Sequence, residues 1–391
     1  MSTAILIILD GLGVGEAPDA EEYGDVGSDT LGNMSRVMGG ITVPTLASLG
    51  LGNLSQIQNV PPSEKPRGTY GRLEEISCGK DSTTGHWELM GVHTSVAFPT
   101  YEGGFPEDLL AEFSKRTGYG VIGNKAASGT DIIEELGDQH IASRDLIVYT
   151  SADSVFQIAA HDDVCDIDEL YRVCAIAREM FVEPHNISRV IARPFTGKSG
   201  EYARTPYRKD YSVNPPSSMI LPGLQQSGVV IESIGKIYDL YNGFGIGQSH
   251  VSKSNAEGME NLARLYSEKT DGDRLILLNL VDFDMLWGHR NDPKGMKEGL
   301  EIFDRWLDGF LQQMQDGDLL MMTADHGNDP TTPGSDHSRE HVPMLAYMAG
   351  EAGGNDVGTR KGFMDLGATL IEYFGREVDC SGVSFYSQLK N

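Results

Sequence analysis

Positive charge is scarce in this chain. Its 391 residues carry 31 Lys and Arg against 57 Asp and Glu, a formal charge of −26 at pH 7. A nucleic-acid backbone or an anionic membrane surface calls for a basic face, so neither partner is expected. An anionic small molecule stays open if metals or a local basic patch reverse the field at its site. Cysteine is also scarce. Cys78, Cys165, Cys174 and Cys380 show no metal-type spacing, which predicts free thiols in a reducing compartment. No stretch has the ~20 apolar residues of a membrane helix. The first residues are Met-Ser-Thr and then six apolar residues, Ala4 to Leu9. They lack the basic start and longer apolar stretch of a secretory signal, so a cytoplasmic protein is expected. There is no internal repeat and no low-complexity segment.

What is present fits a globular protein with a sizeable core: 39% hydrophobic and 23% charged residues. The length suggests two or three domains, or one domain with a large insertion. Residues 4–9 (AILIIL) form an unbroken apolar run ended by Asp10 and Gly11. Leu275–Val281 ends in the same way at Asp282-Phe283-Asp284, and Leu319–Thr323 at Ala324-Asp325-His326-Gly327. Such runs suit strands buried on both faces of a parallel sheet covered by helices. Ligand sites in open α/β sheets lie beyond the carboxyl ends of the strands, so these three ends are expected to meet at one site.

A separate unit is expected between about 96 and 215. It starts near the Gly/Pro-rich stretch Phe98–Pro106 and ends near Asn214-Pro215-Pro216-Ser217-Ser218, which reads as a linker. It has its own strand signals, Leu146–Thr150 and Arg189–Arg193, and a helical pattern from Asp168 to Met180. The expected organisation is a core in two parts, 1–95 and 216–391, interrupted by an α+β insert, 96–215.

The strand ends carry Asp10, Asp284, His289, Asp325 and His326, and a later loop carries His337. Oxygen and imidazole ligands suit Mn²⁺, Zn²⁺ or Mg²⁺. Six such groups exceed the needs of one open site and suit two metals. Asp10 or Asp325 taken alone would read as a helix cap or turn residue, and His289 alone as a structural histidine. The joint pattern favours metals. Gly11, Gly13 and Gly15 follow a strand, but their spacing is G-x-G-x-G, and Asp10 would repel a pyrophosphate there. They read as a tight turn letting backbone pass close to a metal.

Gly79–Glu88 (GKDSTTGHWE) is a polar turn leading into a helix expected from Trp87 to Met90. Ser82 there is either a helix cap or a hydroxyl nucleophile activated by a metal, with the helix end favouring the phosphate it acquires. The order is not that of a P-loop. Residues 187–209 hold six basic residues, Arg189, Arg193, Lys198, Arg204, Arg208 and Lys209, against Glu201 alone. Arg forks suit phosphate oxygens. Ser151 and Asp153, at the end of the LIVYT strand, are candidates to hold sugar hydroxyls.

Together these residues resemble the phosphopentomutases of the alkaline phosphatase superfamily, over essentially the whole chain. The motifs are Gly24–Thr30 (GDVGSDT), GKDSTTGHWE, Tyr149–Ser154, Arg189–Phe195, Gly235-Lys236-Ile237, Val281–Arg290 (VDFDMLWGHR), and Thr323–Pro330 (TADHGNDP) with Asp336-His337. The resemblance implies an α/β fold: an alkaline-phosphatase-like three-layer core with a mainly parallel central sheet and an inserted α+β cap. It implies two Mn²⁺ ions per chain, one on Asp284, His289 and His337, the other on Asp10, Asp325, His326 and the nucleophile hydroxyl. It implies interconversion of ribose 1-phosphate or 2-deoxyribose 1-phosphate with the 5-phosphate. The route is a phosphoenzyme primed by a sugar bisphosphate such as glucose 1,6-bisphosphate or ribose 1,5-bisphosphate.

Ser82 stands where the family usually has Thr, with Thr83 and Thr84 beside it as alternative hydroxyls. Asp10-Gly11 stands where the family commonly has Asp-Ser, and resembles the cofactor-independent phosphoglycerate mutases. Substrate contacts are expected from Ser151, Asp153, Arg189, Arg193 and Arg204, with Lys236 assisting. The rival readings are a phosphomonoesterase or another phosphomutase on the same scaffold, and a non-catalytic sugar-phosphate sensor.

Overall fold

The structure, a computed structural model, describes residues 2–151 and 153–390. In the Tyr149–Ser154 motif, Ala152 lies outside the described residues. In chain order the strands are β1 (Thr3–Leu9), β2 (Thr69–Glu74), β3 (Val121–Ala126), β4 (Leu146–Thr150), β5 (Val155–His161), β6 (Arg189–Thr196), β7 (Ala203–Arg204), β8 (Lys209–Ser212), β9 (Val230–Ile234), β10 (Gln248–His250), β11 (Arg274–Leu280), β12 (Leu319–Thr323), β13 (Val342–Met348) and β14 (Asp356–Lys361). They divide between two compact units, one made of the residues up to Val96 and from Pro215 onward, the other of Ala97–Asn214.

The first unit is built on an eight-stranded sheet in the order β10-β9-β11-β1-β12-β13-β2-β14. The five strands from β10 to β12 run parallel, and β13 runs against both neighbours. β1 lies between β11 and β12, with Ile8 opposite both Asn279 and Thr323. Successive strand side chains point to opposite faces, yet every residue from Ala4 to Leu9 is at most 2% exposed. Both faces are therefore covered, which is why this run is apolar throughout instead of alternating. Asp10, Asp325 and the Phe283–Gly288 π-helical turn follow the ends of three adjacent parallel strands, so the polar groups beyond them are neighbours. π-turns of this kind often mark functional sites.

The second unit has a six-stranded sheet, with β3-β4-β5-β6-β7 in order and β8 also paired to β6. Along β4, Leu146 and Val148 pack with Phe105, Phe113, Phe156 and the helix Ile167–Met180. Ile147 and Tyr149 pack on the other face with Ile132, Ile133 and Phe195. Alternation along one strand thus feeds two apolar layers.

Candidate functional site

The helix that follows the GKD turn starts earlier than its apolar residues suggest, at Ser82 and not at Trp87. Its cap is Asp81, whose carboxylate accepts from the Thr83 and Thr84 backbone N–H groups and from the Thr84 hydroxyl at 3.0, 3.2 and 2.6 Å. Thr84 is thereby occupied and buried. Ser82 does not cap: its hydroxyl faces His326 Nε2 at 3.2 Å and accepts from Lys236 Nζ at 3.0 Å. The rest of the motif has local causes. A Cβ on Gly85 would overlap the Asp325 carbonyl, so glycine lets the helix lie against β12's continuation. His86 Nδ1 lies 2.9 Å from the Ser82 carbonyl and 3.0 Å from Asp325 Oδ2. Glu88 accepts from the Ile76, Ser77 and Phe363 N–H groups at 3.1, 2.7 and 2.8 Å.

Around Ser82 stand the six residues of the strand ends and later loop. The donor atoms of Asp10, Asp325 and His326 lie within 4.8 Å of one another, and so do those of Asp284, His326 and His337. His326 therefore borders both groups. His289 joins through Asp284 Oδ2 at 3.4 Å and His337 Nε2 at 3.2 Å. Gly11 has a φ of +73°, and its N–H donates to Asp325 Oδ1 at 3.1 Å. A Cβ there would press on Asn328 and Asp284 at 3.0 and 3.4 Å, so the glycine serves a close approach.

The arrangement fits metal ions. All three imidazoles turn Nδ1 toward a backbone carbonyl: His289 to Ser335 at 2.6 Å, His326 to Gly327 at 3.1 Å, His337 to Lys80 at 3.0 Å. A proton on Nδ1 satisfies that contact and leaves Nε2 as a lone pair, the usual outer support of a metal-binding histidine. The His289 and His337 lone pairs then face each other, which only a cation between them would reward. Asp10 Oδ1 is buried and without a hydrogen bond, and buried Asp325 Oδ2 meets the His86 imidazole, which it shares with the Ser82 carbonyl.

The charges agree. Burial and the Asp325 charge push the Asp10 carboxyl up to about 8. Burial alone would lower His326, but Asp325, Asp284 and Asp10 raise it to about 10. Despite burial, Asp284 and Asp325 stay well below the usual carboxylate range, held there by the neighbouring imidazoles and Lys236, so the pocket carries negative charge that a cation would neutralise. With no cysteine among the donors, the set suits hard or borderline divalent ions.

Sequence reasoning missed two supporting residues. His86 holds Asp325, and Asn328 donates from Nδ2 to Asp284 Oδ1 at 2.7 Å. Both lie inside motifs already noted, but only the fold shows what they touch. Lys236 follows β9 and lies 2.5 Å from Asp10 Oδ2, so the structure places it beside Ser82 and Asp10.

The remaining candidates lie in the second unit. Ser151 follows β4 directly. Arg189 lies 3.5 Å from Asp153 and 3.6 Å from Asp210, so its charge is shared between two carboxylates. Arg208 forks onto Asp210 at 2.7 and 2.6 Å. Arg193 donates to Gln157 Oε1 at 3.2 Å, and burial with Arg208 and Arg204 nearby lowers its pKa to about 10. A Cβ on Gly129, the first residue of the helix Gly129–Ser143, would overlap Arg204 Nη2 and the Tyr149 hydroxyl. That hydroxyl is buried, with the Arg204 guanidinium beside it. Arg204, a helix N-terminus without a side-chain cap and a buried phenol thus share one spot.

A family model described as the metalloenzyme superfamily matches residues 2–378. The phosphopentomutase of Desulfitobacterium hafniense (strain DSM 10664 / DCB-2) is 50% identical over 389 residues, covering 100% of this chain and 100% of that protein. The phosphopentomutase of Clostridium novyi (strain NT) is 48% identical over 389 residues, covering 100% of this chain and 99% of that one. Among solved structures, the PH0037 protein from Pyrococcus horikoshii superposes with a TM-score of 0.50 at 15% identity. It covers 97% of this chain and 98% of its own, and the likeness is one of fold.

Proposed function

The chain belongs to the phosphopentomutase family, and from that premise we propose how its residues carry out the mutase reaction. It is an isomerase of the sugar-phosphate mutase type with two candidate metal clusters. Our reading is that it interconverts ribose 1-phosphate or 2-deoxyribose 1-phosphate with the 5-phosphate, through phosphorylated Ser82. The observation that carries this is the position of the Ser82 hydroxyl, 3.2 Å from His326 and 3.0 Å from Lys236 at the start of a helix.

Phosphoserine at Ser82 would pass its phosphoryl group to the free hydroxyl of a bound monophosphate. The new O–P bond forms as the Oγ–P bond breaks, the proton of the attacking hydroxyl passes to solvent water, and Ser82 Oγ leaves bearing charge. The Lys236 ammonium faces that oxygen, and the helix N-terminus favours the anionic group. The sugar 1,5-bisphosphate then turns around, and Ser82 takes the other phosphate by the reverse step. Asp10, Asp325, His326 and Ser82 would hold one Mn²⁺, and Asp284, His289 and His337 the other. Bound there, the ions supply charge stabilisation to the transferring phosphoryl oxygens. A sugar bisphosphate primes the serine.

We assign the second unit the role of a cap. Arg193 and Arg204, with the Tyr149 hydroxyl and the Gly129 helix end, offer donors to the distal phosphate, while Ser151 and Asp153 meet the sugar hydroxyls. Arg189 steadies Asp153.

The experiment is an assay of ribose 5-phosphate formation from ribose 1-phosphate with Mn²⁺ and a bisphosphate activator. Ser82→Ala should bind substrate, form no phosphoenzyme and lose turnover. Peptide mapping that placed the phosphate on Thr83 or Thr84 would refute the choice of hydroxyl.

A further inference from the structure

The segment Gly24–Thr30 supplies none of the ligands or the nucleophile described above, yet it touches both loops that do. The Asp25 carboxylate accepts from Lys80 Nζ at 3.2 Å on Oδ1 and 3.0 Å on Oδ2. The same Oδ2 accepts the Arg339 backbone N–H at 2.8 Å. Lys80 stands two residues before Ser82, and Arg339 two residues after His337.

We propose that Asp25 is a positioning residue for phosphoryl transfer: its one carboxylate sets the spacing between the loop that presents Ser82 and the loop that presents His337. This rests on the reading of Ser82 as nucleophile and His337 as metal ligand. Both loops lie beyond the regular sheet, so ladder hydrogen bonds do not fix their separation. Gly79, at the head of the Ser82 turn, has a φ of +132°, a conformation that glycine adopts without the strain a side chain would bring. Direct ties cross this gap: His337 Nδ1 donates to the Lys80 carbonyl at 3.0 Å, between residues 257 apart in sequence, and the Lys80 ammonium pairs with Asp336 at 3.3 Å. Asp25 adds a tie from a third segment, holding the Lys80 ammonium and the Arg339 N–H on one carboxylate.

Asp25 itself is held from both sides. Gly24 takes a φ of +76°, the Asp25 N–H donates to the Ala20 carbonyl at 2.9 Å, and the Asp25 carbonyl accepts from Ser28 at 3.0 Å. Its neighbour Val26 is 69% exposed, so apolar packing does not account for the placement of this segment. The Arg339 side chain also braces the Ser82 turn, donating to the Gly79 carbonyl at 2.7 Å and the Glu75 carbonyl at 2.8 Å. It pairs with buried Glu75 at 2.6 Å, however, and its removal would leave that charge bare, confounding position with folding. Asp25 and Lys80 keep 15% and 20% of their side chains exposed, so removing either strands no fully buried charge.

The test uses the full chain loaded with Mn²⁺ and measures steady-state pentose 1-phosphate isomerisation for Asp25→Ala, Asp25→Asn, Lys80→Gln and the double variant Asp25→Ala/Lys80→Gln. A displaced nucleophile of this kind costs roughly tenfold to a hundredfold in rate. Asp25→Ala should lose about tenfold or more in kcat, with KM within about twofold of the parent, because Asp25 touches no substrate. Asp25→Asn should recover part of the loss, since its amide oxygen still accepts from Arg339. Lys80→Gln should lower kcat, and the double variant should be no worse than the poorer single one.

A kcat within twofold of the parent in Asp25→Ala, whatever its Tm, overturns the inference. So does a loss confined to KM. Ser82→Ala runs alongside: an inactive Ser82→Ala with a fully active Asp25→Ala sinks only the positioning role, whereas an active Ser82→Ala sinks the nucleophile assignment and this inference with it.

Discussion

The Lys236 ammonium lies 3.0 Å from the Ser82 hydroxyl, with Asp10 on its other side at 2.5 Å. Burial works against its charge, but Asp10, Asp325 and Asp284 outweigh that and hold its pKa above the ordinary lysine value. It is therefore a fixed cation at neutral pH, aimed at the oxygen that gains and loses a phosphoryl group in the proposed reaction. Lys236→Met should slow phosphoenzyme formation by about 10²–10³-fold, the usual cost of removing one donor at a developing oxyanion. Rapid-quench labelling from a bisphosphate measures it, and an unchanged rate would remove Lys236 from the reaction.

The metal reading predicts composition as well as activity. Asp325 and His289 come from opposite ends of the ligand set. Asp325→Ala and His289→Ala should each lose at least one divalent equivalent by elemental analysis, and chelation of the parent should abolish turnover that Mn²⁺ restores. Full metal content and activity in both variants would sink the assignment.

Much of this site was legible because its residues are punctuation. Ala4–Leu9 and Leu319–Thr323 read as buried strands, and the Asp and His residues that end them stand out against such runs. The start of the Ser82 helix was hidden because its first turn, Ser-Thr-Thr-Gly, has no apolar periodicity; the helical signal begins only at Trp87. Asp81 was available as a cap three residues before Thr84, and that pattern could have moved the boundary. Supporting contacts were out of reach for another reason. Asn328 meets Asp284 across 44 residues and Asp25 meets Arg339 across 314. Each is a common polar residue whose role appears only when distant loops meet.

In the second unit, Arg193 and Arg204 differ from Arg189 in what already neutralises them. Arg189 sits between two carboxylates, whereas Arg204 lies at a helix N-terminus and half-buried Arg193 meets the neutral Gln157 amide. Arg193→Ala and Arg204→Ala should each weaken substrate binding by ~1.5–3 kcal/mol, about tenfold to a hundredfold in KM. Asp153→Ala should impair mutase turnover more than phosphoenzyme hydrolysis. Unchanged kinetics in both Arg variants would reduce the basic stretch to a solvated face.

Glu340 gives a pH dependence of stability. It accepts from Thr30 N–H and hydroxyl at 2.9 and 2.7 Å and from the Ser338 hydroxyl at 2.7 Å, with no cation among these contacts. Burial raises its pKa from 4.5 to about 7. The folded state then binds this proton more tightly than the unfolded one. Its contribution to stability is full below about 4.5, falls as pH rises toward 7 and is gone above it, a span of up to ~3 kcal/mol. Glu340→Gln should flatten that slope in denaturant titrations between pH 5 and 8. An identical slope in parent and variant would show that Glu340 does not titrate there.

Gly85 offers a test in which helix propensity and packing pull in opposite directions. It is the fourth residue of the helix Ser82–Leu89, where alanine is the better helix former by ~1 kcal/mol. Propensity alone therefore predicts that Gly85→Ala stabilises the protein. The packing predicts the reverse. The new Cβ would overlap the Asp325 carbonyl oxygen and come within 3.2 Å of its Cα, and neither atom can swing away as a side-chain tip can. Asp325 follows β12, which is fully buried between β1 and β13, so the helix has to give. Retreat would draw Ser82 away from His326 and Lys236, and His86 away from Asp325. Overpacking of this kind costs ~1–3 kcal/mol, and a shift of about 1 Å at the nucleophile costs roughly 10²-fold in rate. Gly85→Ala should thus lower Tm by calorimetry and lose far more activity than stability, with bound metal and near-parental KM retained. A variant with a raised Tm and parental kcat would mean that the helix does not depend on glycine to approach Asp325 or to set Ser82 beside His326 and Lys236.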